Sequence, residues 1–156
     1  MRIVKTALVL ACFVMPGIIG SAALAQEDEC RFYTYKARVT EVYDGDTITA
    51  DIDLGFHVWL RGEKLRLFGI DTPEIRARAN RPVNAAEKAR GLAARDALRD
   101  LILDKEVELC TIKDKKGKFG RYLARIMYNG LDVNDWLVQQ GHAVPLVFKS
   151  DGVASE

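Results

Sequence analysis

The chain has 156 residues, 49% of them hydrophobic and 29% charged, with 23 basic against 22 acidic side chains. That length suits one ordinary domain. A net charge of +1 excludes capture of polyanions by a global positive field, so any polyanion site must be local and helped by a bound cation.

Residues 1–25 have the make-up of a secretory signal. Arg2 and Lys5 form a basic start, Thr6 to Gly20 is apolar, and Ala23-Leu24-Ala25 fits the small-x-small cleavage pattern before Gln26. The alternative is a membrane anchor, but Pro16, Gly17 and Gly20 interrupt the run, and it is short for a span of about 20 residues. Cys12 after Leu10-Ala11 gives a weaker lipoprotein signal. Removing Arg2 and Lys5 from the 23 basic residues leaves 21 against 22 acids. The expected location is secreted or periplasmic. In an exported chain Cys30 and Cys110 can pair; the alternative is two thiols, with Cys110 filling a strand position.

The domain is expected over residues 32–149, with a short tail at 150–156. Phe32 to Tyr43, rich in aromatic and β-branched residues, predicts a first strand. Asp44-Gly45 marks a turn. Thr47 to Leu54 alternates Ile48, Ala50, Ile52 and Leu54 with polar residues, the pattern of a half-buried strand. Phe56 to Arg61 and Lys64 to Ile70 predict a further strand pair or a long bent hairpin. Ile75 to Val83 is expected as a loop. Asn84, with Glu87 three residues on, predicts a helix start. Its expected buried face holds Ala86, Ala89, Ala93, Ala97 and Leu101. Val107 to Ile112 and Tyr122 to Tyr128 predict two more strands, separated by a basic turn at Lys113 to Lys118. Asn129-Gly130 predicts a tight turn, and Asp132 to Gln140 a short helix ended by Gly141. The order fits a mainly β chain with helices, an α+β five-stranded Greek-key barrel of the OB type with a helix between strands three and four.

Three carboxylates and two arginines fall at predicted strand ends. Asp46 follows the first turn, and Asp71 and Thr72 end the third strand. Carboxylate and carbonyl oxygens of this kind suit Ca²⁺, which tolerates an irregular shell. Glu74, set by Pro73, is placed to act on an attacking water. Arg66 and Arg121 can stabilise charge growing on a phosphodiester. Taken singly, each of these residues is more simply a turn former or a solvated charge.

Arg66-Leu67-Phe68-Gly69-Ile70-Asp71-Thr72-Pro73-Glu74 resembles the signature of the staphylococcal nuclease (thermonuclease) family. Asp44-Gly45-Asp46-Thr47 and Lys118-Phe119-Gly120-Arg121 resemble its flanking motifs, in the same order. The similarity runs from about Tyr35 to Ala143. It implies an OB-type barrel that hydrolyses DNA and RNA with Ca²⁺ and leaves 3′-phosphates. It assigns Asp46, Asp71 and the Thr72 carbonyl to the cation, Glu74 to the water, and Arg66 and Arg121 to the scissile phosphate. Lys118 matches a contact to a nucleotide's terminal phosphate. Phe119 stands where a phosphate-binding tyrosine is usual. Leu146-Val147-Phe148-Lys149 replaces a tyrosine-rich stretch, leaving Phe148 to stack on a base. The expected protein is a monomeric, exported Ca²⁺-dependent nuclease acting on DNA or RNA; the other reading is a non-catalytic module binding oligonucleotides or another anionic ligand.

Overall fold

Alternation of apolar and polar residues along five strands builds one closed sheet in the computed structural model, which describes residues 33–77, 79, 81–116 and 120–146, with the backbone alone for 113–116. The strands are β1 (Thr34–Val42), β2 (Thr47–Asp53), β3 (Trp59–Leu67), β5 (Glu106–Lys116) and β6 (Tyr122–Tyr128). They run in the order β3-β2-β1-β5-β6, and a parallel pairing of β3 with β6 closes the barrel. The other barrel pairings are antiparallel. Ala37, Val39, Ile48, Ala50, Ile52, Leu65, Leu67, Leu109, Ala124 and Ile126 point inward and are buried, as a strand period of two requires. This is the OB-type α+β barrel expected from the sequence.

The residues between β2 and β6 depart from expectation in detail. A single strand, β3, replaces the predicted strand pair. Its register with β2 shifts between Ala50 and Ile52, and Gly62 takes a φ of 65° there, so the chain bulges rather than turns. A two-residue β4 (Ile70–Asp71) then pairs with β8 (Val144–Pro145). The predicted basic turn at 113–118 is strand as far as Lys116.

Helix α1 (Ala85–Ile102) starts as expected, with the Asn84 side chain accepting from the Glu87 amide at 2.8 Å. Its buried face is not the predicted one. Gly91, Ala94, Leu98 and Ile102 face the barrel, whereas Ala86, Ala89 and Ala93 are exposed. The reason is close approach. A Cβ on Gly91 would collide with the Pro73 carbonyl oxygen and come within 2.8 Å of Ile75, and one on Gly45 would come within 2.8–2.9 Å of Ala94 and Thr72. Small residues at these contacts let the helix lie on the segment from Thr72 to Ile75.

A tight turn at Asn129-Gly130, both with positive φ, leads through β7 (Leu131–Asp132) into α2 (Val133–Gln139). Asp132 caps α2 and Gly141 follows it at a φ of 73°. Thr34 stands opposite Cys110 across β1 and β5, and Cys110 is disulfide-bonded; its partner lies outside the described residues. The expected leader and tail also lie outside them. Among the described residues no helix is long and apolar enough to cross a membrane.

Candidate active site

The first turn brings the site together from Asp46. Asp44 bonds the Asp46 amide at 3.1 Å, an Asx-type turn that fixes the backbone where β2 begins. The Asp46 side chain is thereby turned inward and is only 3% exposed. It accepts from Thr47 Oγ1 at 3.1 Å and from the Thr72 amide at 3.2 Å. Thr72 is itself buried, so the segment after β4 is bonded directly to the start of β2.

Arg66 joins the two carboxylates. Residues Thr47 and Arg66 are register partners, which puts the guanidinium over Asp46. One nitrogen donates to Asp46 Oδ1 at 2.9 Å and the other to Asp71 Oδ1 at 2.6 Å. Arg121 reaches the same cluster from the start of β6, donating to Thr47 Oγ1 at 3.0 Å. The parallel pairing of β3 with β6 places the chain so. Five of the residues singled out from the sequence, Asp46, Arg66, Asp71, Thr72 and Arg121, are therefore linked through one hydrogen-bonded set.

Burial raises the Asp46 pKa to about 6, against an opposing pull from Arg66; Asp44 and Asp71 add repulsion, and the Thr47 bond favours the anion. Two carboxylates share one guanidinium here, and a buried acid still holds its proton more tightly than usual. Around Asp46 the cluster is desolvated more strongly than the Arg66 charge can offset. Its donors are all hard oxygens, which matches a hard cation such as Ca²⁺. Among the described residues no three His, Cys, Asp or Glu side chains gather into a metal-holding group. A cation here would rest on Asp46, Asp71 and the Thr72 carbonyl, with water and substrate supplying the rest.

Glu74 follows Thr72 by two residues. It lies on the segment that packs against Gly91, and Arg81 comes within 3.7 Å of its carboxylate. Arg81 also bonds Glu87 at 3.0 Å. So the Glu87 carboxylate faces the loop in front of α1. Lys118, Phe119 and Phe148 lie outside the described residues.

Four contributors were not among the site residues expected from the sequence. Gly91 holds α1 close to the loop of Glu74. Asn134, 1% exposed, donates to the carbonyls of Phe68 and Ala124 at 2.9 and 3.2 Å and accepts from the Ile126 amide at 3.2 Å. It ties α2 to β6 and to the turn that precedes Asp71. The available clue was its spacing of three from Leu137, which puts it on the buried face of α2. Tyr43 and Arg76 form the remaining pair. The guanidinium lies 5.0 Å from the ring centroid and bonds the hydroxyl at 3.0 Å.

Comparison with known proteins agrees with this architecture. Residues 64–155 match the family described as staphylococcal nuclease homologue. The thermonuclease of Staphylococcus hyicus is 33% identical over 81% of this chain and 66% of its own length. The thermonuclease of Staphylococcus intermedius is 33% identical over 67% of this chain and 56% of its own. An uncharacterized protein of Methanocaldococcus jannaschii is 31% identical over 70% of this chain and 58% of its own. The chain thus spans between about half and two thirds of these curated relatives. With a family match over more than half of its residues, on a closed five-stranded barrel, this chain belongs to the staphylococcal nuclease homologue family.

Proposed function

We propose that the protein is an exported Ca²⁺-dependent nuclease that hydrolyses phosphodiester bonds in DNA or RNA and leaves 3′-phosphates. The observation that carries this reading is the Arg66 guanidinium spanning Asp46 and Asp71 at 2.9 and 2.6 Å, with Arg121 on Thr47 beside them. A surface ion pair needs neither the burial of Asp46 nor a second arginine converging on it. Arg66 is also only 21% exposed.

In this reading Asp46, Asp71 and the Thr72 carbonyl hold the cation. When bound, Ca²⁺ supplies charge that draws a phosphate into the site and polarises it. Arg66 and Arg121 bind the equatorial oxygens, where negative charge grows as water attacks. Their planar forks hold the phosphate in one orientation. Glu74 accepts the proton of the attacking water as the P–O5′ bond breaks, and the departing 5′ oxygen takes a proton from solvent. Pro73 before it and the packing of Ile75 after it fix where that carboxylate can reach. Lys118, Phe119 and Phe148 are proposed to contact the nucleotide beyond the scissile bond. The thermonucleases among the relatives support this reading in kind.

The test is cleavage of labelled DNA and RNA oligonucleotides with Ca²⁺, with chelator, and by Glu74→Gln at saturating Ca²⁺. The expected result is cleavage that chelator abolishes and that Glu74→Gln lowers by about 10²–10⁴-fold. Oligonucleotide binding should be kept. Binding without cleavage by the unsubstituted protein would favour the non-catalytic module.

A further inference from the structure

We propose that the pair of Tyr43 and Arg76 is a subsite for one unpaired nucleobase beside the scissile phosphate, an inference that rests on the nuclease reading above. Tyr43 precedes the Asp44 turn, and the residue is 42% exposed. Arg76 is exposed too, and it follows Glu74 by two residues. The pair therefore joins the two segments that carry the carboxylates.

The register sets its distance from the phosphate-binding groups. The Tyr43 amide bonds the Thr47 carbonyl at 2.9 Å, and Thr47 is the partner of Arg66. Tyr43, the residue after β1, thus stands beside Thr47 of β2 and Arg66 of β3. Two strand spacings put the Tyr43 backbone about 10 Å from that of Arg66. Val42, Ile48 and Leu65, each one position away, are buried in the core. By the alternation of strands, Tyr43, Thr47 and Arg66 share the opposite face. A phosphate on Arg66 has its adjoining sugar and base within reach of that ring.

The chemistry of the pair suits a base. An exposed aromatic ring with a guanidinium held at its hydroxyl end offers a flat polarisable face and one positive charge. Stacking on such a face tolerates any base, because every base has a π-face. It needs the base to be unpaired. The subsite would therefore favour single strands over duplex at the cut, with little preference among the bases. The hydroxyl bond to Arg76 holds the ring in place before a substrate arrives, which lowers the ordering cost of binding.

The experiment measures kcat and KM on a single-stranded oligonucleotide and on copies with one abasic position stepped along each side of the cut. With the unsubstituted protein, one abasic position next to the cut should raise KM by about 5- to 150-fold, the range of one lost stack. Tyr43→Ala should raise KM on the intact strand by a similar factor and be insensitive to that abasic position. Its kcat should change less than KM. Tyr43→Phe, which keeps the ring, should restore most of the difference. If the abasic scan is flat, the subsite does not exist. If Tyr43→Ala lowers kcat equally on intact and abasic strands, the pair is only a strut between two loops. If the unsubstituted protein cleaves no strand, the nuclease reading itself fails and takes the subsite with it.

Discussion

Gly91→Ala should damage catalysis far more than stability. Alanine favours a helix interior over glycine by about 1 kcal/mol, so an exposed site would gain. At Gly91 the new Cβ would collide with the Pro73 carbonyl oxygen and lie 2.8 Å from Ile75 Cγ2. Ordinary contact needs about 3.5 Å or more. The loop or the helix must then move apart by on the order of 1 Å. Overpacking of this kind costs about 1–3 kcal/mol, and the helix gain offsets part of it, leaving a net loss of roughly 0–2 kcal/mol. Glu74 sits between the two residues that must move. A misplacement of about 1 Å at a reacting group can cost about 10²-fold in rate. Thermal unfolding should therefore shift by a few degrees, while kcat on an oligonucleotide falls about 100-fold. Full activity in Gly91→Ala would refute the idea that this contact sets the position of Glu74. Complete unfolding would refute the estimate that the helix can adjust.

Other residues give separate checks. Asn134→Ala removes the buried acceptor of the Ile126 amide. Leaving one such buried group unpaired costs about 1–3 kcal/mol, and urea unfolding should show a loss of that order. Arg66→Lys keeps the charge but cannot span both carboxylates, and kcat should fall about 10²–10³-fold with a smaller loss of oligonucleotide affinity by anisotropy. Asp51 is held below the ordinary carboxylate pKa, first by its bond from Arg61 and then by that from the Gly62 amide. Its contribution is fully present above the ordinary value of 3.8 and is lost as pH falls through the lowered one. Acid titration of stability should accordingly be shallower in Asp51→Asn than in the unsubstituted protein.

The barrel strands were legible because burial on one face writes itself as alternation. Ile48, Ala50 and Ile52 are buried where the alternation put them. The buried face of α1 was not legible. Its alanines at 86, 89 and 93 look like a packing stripe, but the deciding contacts are made by Gly91 and Gly45, whose value lies in what they lack. A run of alanines carries too weak a hydrophobic signal to orient a helix. β4 and β8 escaped for a different reason: two residues pairing across more than seventy positions leave no local pattern. The candidate site divides in the same way. Its residue types were visible in motifs, while the double bond of Arg66 to two acids depends on register and side-chain conformation. The Tyr43–Arg76 pair likewise joins residues far apart in sequence.

The cluster around Asp46 has a consequence for the life of the chain before folding. Its members come from positions 46, 66, 71 and 121, and the last arrives only when β6 closes against β3. No shorter stretch of sequence contains the site, and local helix or hairpin formation cannot assemble it. Barrel closure is a contact between strands distant in sequence, a step that comes late because loop entropy opposes it. A chain still emerging from the ribosome, or held extended, would be chemically inert towards the nucleic acids around it. On the nuclease reading, closure of the barrel would then be the step that switches the chemistry on.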